Sequence, residues 1–229
     1  MKEYKYLVVN GCSFMVGTGC DNVLQNRASK LLSDRLKCEE INLSKNGGSN
    51  DRIFRTTYDW IQNNPHKVNQ SLFIIGLTDL YRKDLYSNTN EKYVHGSELY
   101  SKSPKHYADA IGCGSNELSE YAEFNLKYIT SEFPLKDNLN RQCDLLNTYI
   151  KSQGGRLIIF QSLFGKVGKK NNLWLNKTGN LFHKEHFKPG GFDSWRDFMV
   201  NSNRNYDGGH PSSKDNKVLA QQLYKYIYE

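Results

Sequence analysis

Short apolar runs alternate with helix-period segments along most of this chain. The runs at about 4–10, 39–43, 71–76 and 156–162 predict buried strands, because unbroken apolar runs are typical of parallel strands that are covered on both faces. Between them, residues recur at helical spacing in two sets, Leu24, Ala28, Leu31, Leu32 and Leu36, then Ile53, Thr57, Trp60 and Ile61. We expect Asp21 or Asn22 to cap the first helix and Pro65 to end the second.

The second half of the chain continues the alternation. Helical spacing runs over 118–133 and again from Leu139 to Ile150, with Gly154 and Gly155 as a C-cap. A last helix is predicted over 214–228, with one face formed by Leu219, Leu223, Tyr226 and Ile227. Strands that alternate with helices predict the α/β class, with a parallel sheet and crossover helices.

Two stretches interrupt this pattern, at about 84–116 and 163–206. Both are polar and aperiodic, and long loops inside a compact domain are usually functional or mobile. We expect one domain over residues 1–229, with these stretches as irregular insertions and the first as a lid or a substrate-shaping loop.

Composition restricts the setting and the partners. The chain has 229 residues, and its five cysteines are odd in number and scattered without a CxxC pair, which argues against disulfides and against a zinc site. No run is long enough for a membrane span or a signal peptide, so we expect a cytoplasmic protein with no membrane partner. The net charge of +7 raises nucleic acid or an anionic substrate as a partner. The lysines are dispersed and the densest cluster, at 165–172, has no aromatic residue, so we do not expect nucleic-acid binding.

The residues with chemical potential follow the predicted strands. The turns NGCSF, NGGSN and GLTDLYR follow the first three, where α/β sheets bind ligands. YDGGHPSS precedes the last helix and offers Asp207 and His210. Acyl transfer needs a serine, an imidazole that takes its proton and a carboxylate that orients the imidazole. Ser13, His210 and Asp207 supply these three groups.

In these blocks and their order, the chain resembles the SGNH, or GDSL-type, hydrolase family. The resemblance implies a three-layer α/β/α sandwich with a mostly parallel, flavodoxin-like central sheet. It also implies that Ser13 is the nucleophile, with its own amide in the oxyanion hole, that Gly48 gives a second amide, and that Asp207-Gly208-Gly209-His210 provides the family's Asp and His. Metal ions and organic cofactors are not implied.

Two positions depart from the family pattern. Cys12 stands where the family has Asp, which leaves the nucleophile intact. Thr78 stands where the family has the Asn that donates its side-chain amide to the oxyanion, so either Thr78 or Asn50 is the replacement. Loss of one such donor typically costs about a hundred- to a thousandfold in rate. Arg82 follows closely and adds positive charge to the site or binds an acidic group of the substrate.

Several alternatives remain open from the residues alone. Cys12 with a histidine would be a thiol nucleophile, but adjacent side chains at a strand end face opposite ways, and the resemblance selects Ser13. His183 and His186 are spaced as two metal ligands could be, but the sequence offers no clear further ligand. Trp174 and Trp195 form either a substrate platform or core, and core is the default.

Two functions of different classes follow. The first is a serine ester hydrolase, an esterase or O-deacetylase, that acts through an acyl-enzyme on a small-molecule or glycan ester. The second is a catalytically impaired binding module of the same fold for a glycan or an anionic polymer. A nucleotide-binding domain fits poorly, because neither GxGxxG nor GxxxxGK followed by Ser or Thr is present. The first block and the composition also resemble hydrolase-like proteins of phages, which would place the protein in host cytoplasm or in a virion.

Overall fold

The protein is described from a computed structural model that covers residues 3–80, 82–96, 112–124, 132–163, 187–192, 194–202 and 209–228. Its main sheet has four parallel strands, β1 (Tyr6–Gly11), β2 (Glu39–Asn42), β3 (Ser71–Leu77) and β6 (Arg156–Gln161), in the order β2-β1-β3-β6. Every residue of β3 is buried, as its apolar sequence predicts for a strand that is covered on both faces.

Eight α-helices surround the sheet in the described part of the chain. They are α1 (Ser13–Val16), α2 (Val23–Asn26), α3 (Ala28–Leu36), α4 (Asn50–Asn63), α5 (Ser115–Phe124), α6 (Glu132–Ser152), α7 (Trp195–Asn201) and α8 (Ser213–Tyr228). The described residues also contain two 3₁₀ helices, Pro65–Gln70 and Pro189–Gly191. None of these helices is both long and apolar enough to cross a membrane.

The sheet separates two hydrophobic clusters. One face, with Leu7, Val9 and Ile74, packs against α3, α7 and α8, and the other, with Val8 and Phe73, packs against α4 and α6. Alternate residues of each strand therefore enter opposite clusters, as the two-residue period of a strand requires. The arrangement is the predicted three-layer α/β/α sandwich around a parallel sheet.

The first predicted helix is two helices in the structure. Arg27 has extended backbone, with φ −68° and ψ 147°, and separates α2 from α3. Tertiary contacts account for the break, because the Ala28 amide donates to Asn216 Oδ1 in α8 and the Arg27 guanidinium makes a bidentate ion pair with Glu40. Leu24, predicted to be on the apolar face, is 70% exposed.

Other predicted features are confirmed or corrected in detail. Asn22 caps α2 through its side chain, Pro65 follows α4, and Gly154 ends α6 with φ 79°. Leu219, Leu223 and Ile227 are buried on α8, whereas Tyr226 is 37% exposed.

The stretch 84–116, predicted to be aperiodic, begins as regular structure. An antiparallel hairpin pairs β4 (Lys83–Ser87) with β5 (Lys92–Gly96), and α5 begins at Ser115. Residues 97–111 lie outside the described ranges. The part of 163–206 that is described contains α7, whose Trp195 is 1% exposed and stacked on Phe198, so Trp195 belongs to the core.

Candidate active site

The predicted site lies at the carboxyl ends of β1 and β3, between two neighbouring strands. From β1 the chain crosses to β2 on one side of it, and from β2 it crosses to β3 on the other side. The order of strands therefore reverses between β1 and β3, and the crevice outside such a switch point is where α/β sheets bind ligands. Ser13 follows β1 here, and Thr78 follows β3.

A pair of glycines brings α1 down onto the end of the sheet. Gly11 and Gly76 are paired in register on β1 and β3. A Cβ atom on Gly11 would lie 2.3 Å from Met15 Cγ, and one on Gly76 would lie 2.7 Å from the same atom. The missing side chains thus leave room for Met15, and α1 holds Ser13 directly above the strand ends.

Ser13 and Cys12 face different environments, as predicted. Cys12 is 0% exposed, and its Sγ lies 3.7 Å from the hydroxyl of Ser162 in the interior. Ser13 is 6% exposed, as the first residue of α1. No hydrogen bond of its hydroxyl to another described residue is found. Cys12 is therefore a small buried residue of the core, whereas the Ser13 hydroxyl is not engaged by another described residue.

His210 reaches the same end of the molecule from the turn before α8. Its ring centroid lies 5.8 Å from that of Phe14, the residue that follows Ser13, and its side chain is exposed. Asn216 holds the next carbonyl, because its Nδ2 donates to Pro211 O at 3.1 Å. No hydrogen bond between Ser13 and His210 is present in the described part of the chain. Asp207, the predicted third member, lies outside the described residues.

The second predicted turn approaches the end of β1 closely. Gly48 is buried, and a Cβ atom there would lie 3.0 Å from Lys45 O and 3.3 Å from Gly11 O. The Gly48 amide donates to Lys45 O at 3.0 Å, which closes the turn. A substrate oxygen that accepts from this amide would have to share it with the Lys45 carbonyl oxygen or displace that oxygen.

The third predicted turn is held rigidly by side-chain amides. Asn50 Oδ1 accepts from the Thr78 amide at 2.9 Å, and Asn50 Nδ2 donates to the carbonyls of Thr78 and Asp79 at 3.1 and 3.4 Å. Gln161 Nε2 also donates to Thr78 O, at 3.0 Å. Asn50 therefore uses its whole amide to fix the backbone after β3, a role that the sequence did not suggest.

Thr78 is the more available of the two predicted replacements for the family Asn. Its hydroxyl is buried and has no hydrogen-bond partner in the part of the chain that the structure describes. An unsatisfied buried hydroxyl costs about 1–3 kcal/mol, which a bound acceptor would recover. Thr78 thus has a donor to spare, whereas Asn50 does not.

Arg82 lines a cleft between the start of α4 and α6. The cleft is bordered by Asn50, Asp51, Leu80, Arg82, Lys83, Leu135, Asn138, Leu139 and Gln142. One terminal nitrogen of Arg82, Nη1, is buried and has no hydrogen-bond partner among the described residues. Beside it, Lys83 pairs with Asp51 at 3.6 Å.

The β4–β5 hairpin is tied to the second turn through Asp84. The Ser49 hydroxyl, which caps α4 directly after Gly48, donates to Asp84 Oδ1 at 2.8 Å, and Arg55 pairs with Asp84 Oδ2 at 2.7 Å. The Arg55 guanidinium also lies 3.9 Å from the ring centroid of Tyr93 on β5. Nearby, burial lowers the pKa of Arg52. The β4–β5 hairpin is therefore anchored beside the predicted oxyanion turn.

A metal centre has no candidate within the described ranges, where three or more His, Cys, Asp or Glu side chains nowhere cluster. His183 and His186 lie outside those ranges.

Comparisons with known proteins agree on the fold and leave the family open. No family model matches the sequence, and no curated protein matches it. Among solved structures, a putative GDSL-like lipase from Parabacteroides merdae aligns over 98% of this chain and 96% of its own, with 10% identity and a TM-score of 0.50. The chain has a GDSL-type hydrolase fold.

Two further solved structures of similar size align at lower TM-scores. The psychrotrophic esterase EstA from Pseudoalteromonas sp. has a TM-score of 0.49 with 11% identity, over 97% of this chain and 96% of that one. TesA has a TM-score of 0.49 with 10% identity, over 97% of this chain and 98% of that one.

In the GDSL-type fold of this protein, the two features that sequence analysis missed are the clamp formed by Asn50 and the hairpin anchored by Asp84. Neither leaves a periodic signal, because each depends on contacts between distant segments.

Proposed function

We propose that this protein is a serine ester hydrolase that works through a covalent acyl-enzyme. The observation that carries the proposal is the contact between the rings of His210 and Phe14, beside Ser13, at the switch point of a GDSL-type fold. A serine without a partner is a weak nucleophile, and it is activated by an adjacent general base such as an imidazole. His210, from the other end of the chain, is the proposed base.

In the proposed reaction, Ser13 Oγ attacks the ester carbonyl carbon while His210 accepts the hydroxyl proton. The tetrahedral intermediate collapses as the bond to the alcohol breaks, and His210 returns the proton to the leaving oxygen. Water then attacks the acyl-enzyme with His210 again as base, which releases the acid and restores Ser13. Asp207 is the proposed carboxylate that orients His210.

The proposed oxyanion hole draws on the sequence candidates Ser13, Gly48, Asn50 and Thr78. The Ser13 amide is the first of α1, and the leading amides of a helix have no partner within it. Gly48 would share its amide with Lys45 O, and the unpartnered Thr78 hydroxyl would donate after a small rearrangement. Asn50 would contribute through the backbone that it fixes. Catalytic hydrogen bonds often tighten only when substrate is bound.

The proposed substrate is a small ester, such as an O-acetyl group on a sugar or a small lipid ester. Arg82 would bind an acidic group on the substrate, because it lines a cleft and its Nη1 has no hydrogen-bond partner within the described ranges. No cofactor is part of the proposal.

The test is labelling with a fluorophosphonate, followed by mass-spectrometric mapping of the adduct. We expect the adduct on Ser13, and we expect labelling to be lost in Ser13→Ala and His210→Ala but kept in Ser152→Ala, an exposed serine at the end of α6. Hydrolysis of p-nitrophenyl acetate should likewise be lost in Ser13→Ala and His210→Ala and kept in Ser152→Ala. Full hydrolysis by folded Ser13→Ala would refute the proposal.

A second candidate is the binding module, and one observation favours it. The Gly48 backbone amide already donates to Lys45 O, and the Asn50 side-chain amide is fully engaged by the backbone after β3, so two of the proposed donors are occupied. This function predicts no labelling of the folded protein. It also predicts calorimetric binding of an acetylated oligosaccharide or polygalacturonate, with the ligand unchanged after prolonged incubation.

A further inference from the structure

The turn Gly17-Thr18-Gly19 directly follows the helix that carries Ser13. Gly17 ends α1 in the left-handed region, with φ 85°, and the amides of Gly17 and Thr18 both donate to Ser13 O, at 3.1 and 3.2 Å. The turn is thus bonded to the backbone of the proposed nucleophile. A shift of the turn would be transmitted to Ser13.

Gly19 lies against the backbone of the residue proposed as base. A Cβ atom on Gly19 would lie 2.5 Å from Pro211 O, 2.7 Å from His210 O and 2.9 Å from His210 C. Its φ lies outside the left-handed region, so the glycine is not required by its conformation. The close approach of the two backbones is the reason that no side chain fits here.

The opposing backbone has little freedom to retreat. Pro211 O accepts a hydrogen bond from Asn216 Nδ2 at 3.1 Å, and Asn216 is 1% exposed and also accepts from the Ala28 amide. A methyl group on Gly19 would therefore push the His210 turn away from α1 or break the bonds of Asn216.

The same turn contacts the predicted oxyanion turn on its other side. The Thr18 hydroxyl donates to Asn46 Oδ1 at 2.7 Å, and Asn46 lies within the turn that the Gly48 amide closes onto Lys45 O. Residues 17–19 therefore touch the backbone of Ser13, the His210 turn and the Gly48 turn.

We propose that Gly19 is a positioning residue that sets the place of His210 relative to Ser13. The catalytic consequence rests on the proposed function, whereas the placement of His210 is a structural claim that can be tested by itself. Gly19 touches no reacting atom and acts through the His210 backbone.

The kinetic test compares Gly19→Ala with Gly155→Ala. A Cβ atom on Gly155 would also meet a backbone oxygen, Val68 O at 2.9 Å, but Gly155 precedes β6 at the opposite end of the sheet. We expect Gly19→Ala to slow fluorophosphonate labelling and kcat by about ten- to a hundredfold with little change in KM, because small misplacements of a catalytic group have effects of this size. Gly155→Ala should keep the wild-type rate.

A double-mutant cycle separates positioning from general damage. In the His210→Ala background, Gly19→Ala should have no further effect on the residual rate, because the group that it displaces is already absent. Equal fold-losses in both backgrounds would overturn the proposal.

The structural test is independent of activity. The His210 imidazole resonance, assigned by its loss in His210→Ala, should shift in Gly19→Ala and stay in place in Gly155→Ala. An unmoved resonance in Gly19→Ala overturns the proposal whatever the kinetics. If the wild type neither reacts with the probe nor hydrolyses esters, the proposed function fails, and this resonance still decides the placement.

If Gly19→Ala does not fold, the proposal is tested on the wild-type protein by nuclear magnetic resonance. Nuclear Overhauser contacts between the Gly19 α protons and protons of His210 or Pro211 are expected. Their absence would overturn the proposal.

Discussion

Replacing Asn50 by alanine should destabilise the protein strongly, although the residue lies at the start of a helix. The change removes the acceptor for the Thr78 amide at 2.9 Å and the donor to Thr78 O at 3.1 Å, together with a weaker bond to Asp79 O. Asn50 is 6% exposed and Thr78 is 0% exposed, so water does not replace these bonds in the folded state.

The size of the destabilisation depends on which hydrogen bonds the Thr78 carbonyl and the Thr78 amide keep in Asn50→Ala. The Thr78 carbonyl keeps its bond from Gln161, so its loss is an ordinary hydrogen bond of about 0.5–1.5 kcal/mol. The Thr78 amide has no other partner in the described structure, and an orphaned buried donor costs about 1–3 kcal/mol. Together, we expect the free energy of unfolding to fall by about 1.5–4.5 kcal/mol.

Urea denaturation of wild type, Asn50→Ala and Asn63→Ala measures this. Asn63 is an exposed residue at the end of the same helix, and its replacement should change the free energy of unfolding by less than about 0.5 kcal/mol. A loss for Asn50→Ala no larger than that of Asn63→Ala would refute the clamp and return the Asn50 amide to the list of free oxyanion donors.

Three further changes test other contacts. Burial raises the pKa of Cys143 to about 12 from an ordinary value of 9.0, so above pH 9 only the unfolded chain ionises this thiol. Stability should therefore fall by about 1.4 kcal/mol per pH unit in excess of that of Cys143→Ala, measured by urea denaturation between about pH 9 and pH 11, and parallel pH profiles would contradict this. Gly76→Ala should lower the free energy of unfolding by about 1–3 kcal/mol, because its methyl group would overlap buried Met15, and an unchanged denaturation midpoint would contradict the close approach. Asp84→Asn should lower it by about 1–3 kcal/mol through loss of the charge-assisted bond from Arg55, and by much less in the Arg55→Ala background.

Much of the fold was predictable from local pattern. The strands at β1, β3 and β6 are continuous apolar runs, and α4 and α6 show a helical period, because burial on both faces of a sheet or on one face of a helix leaves that trace. The break at Arg27 was not predictable, since it depends on an ion pair with Glu40 and on Asn216, which lies near the other end of the chain. The hairpin of 83–96 was missed because its polar sequence has no apolar alternation.

The candidate site shows the same division more sharply. Ser13 and His210 were selected from short blocks and their order, and the contact between His210 and Phe14 agrees with a common site. Whether each proposed oxyanion donor is free to donate could not be predicted from short blocks and their order. It depends on whether Asn50, Gly48 and Thr78 find partners, and those partners lie in other segments.

The sequence by itself determined the alternation of strands and helices, the burial of Cys12, and which residues are candidates for acyl transfer. These are properties of neighbours along the chain, set by side-chain period, burial and intrinsic reactivity. Only the tertiary structure decided that Asn50 is committed to the backbone of Thr78, that Asp84 anchors the hairpin, and that Gly19 leaves room for the His210 turn. Each of these joins segments far apart in sequence, and close packing of backbones and buried hydrogen bonds is set only when those segments meet.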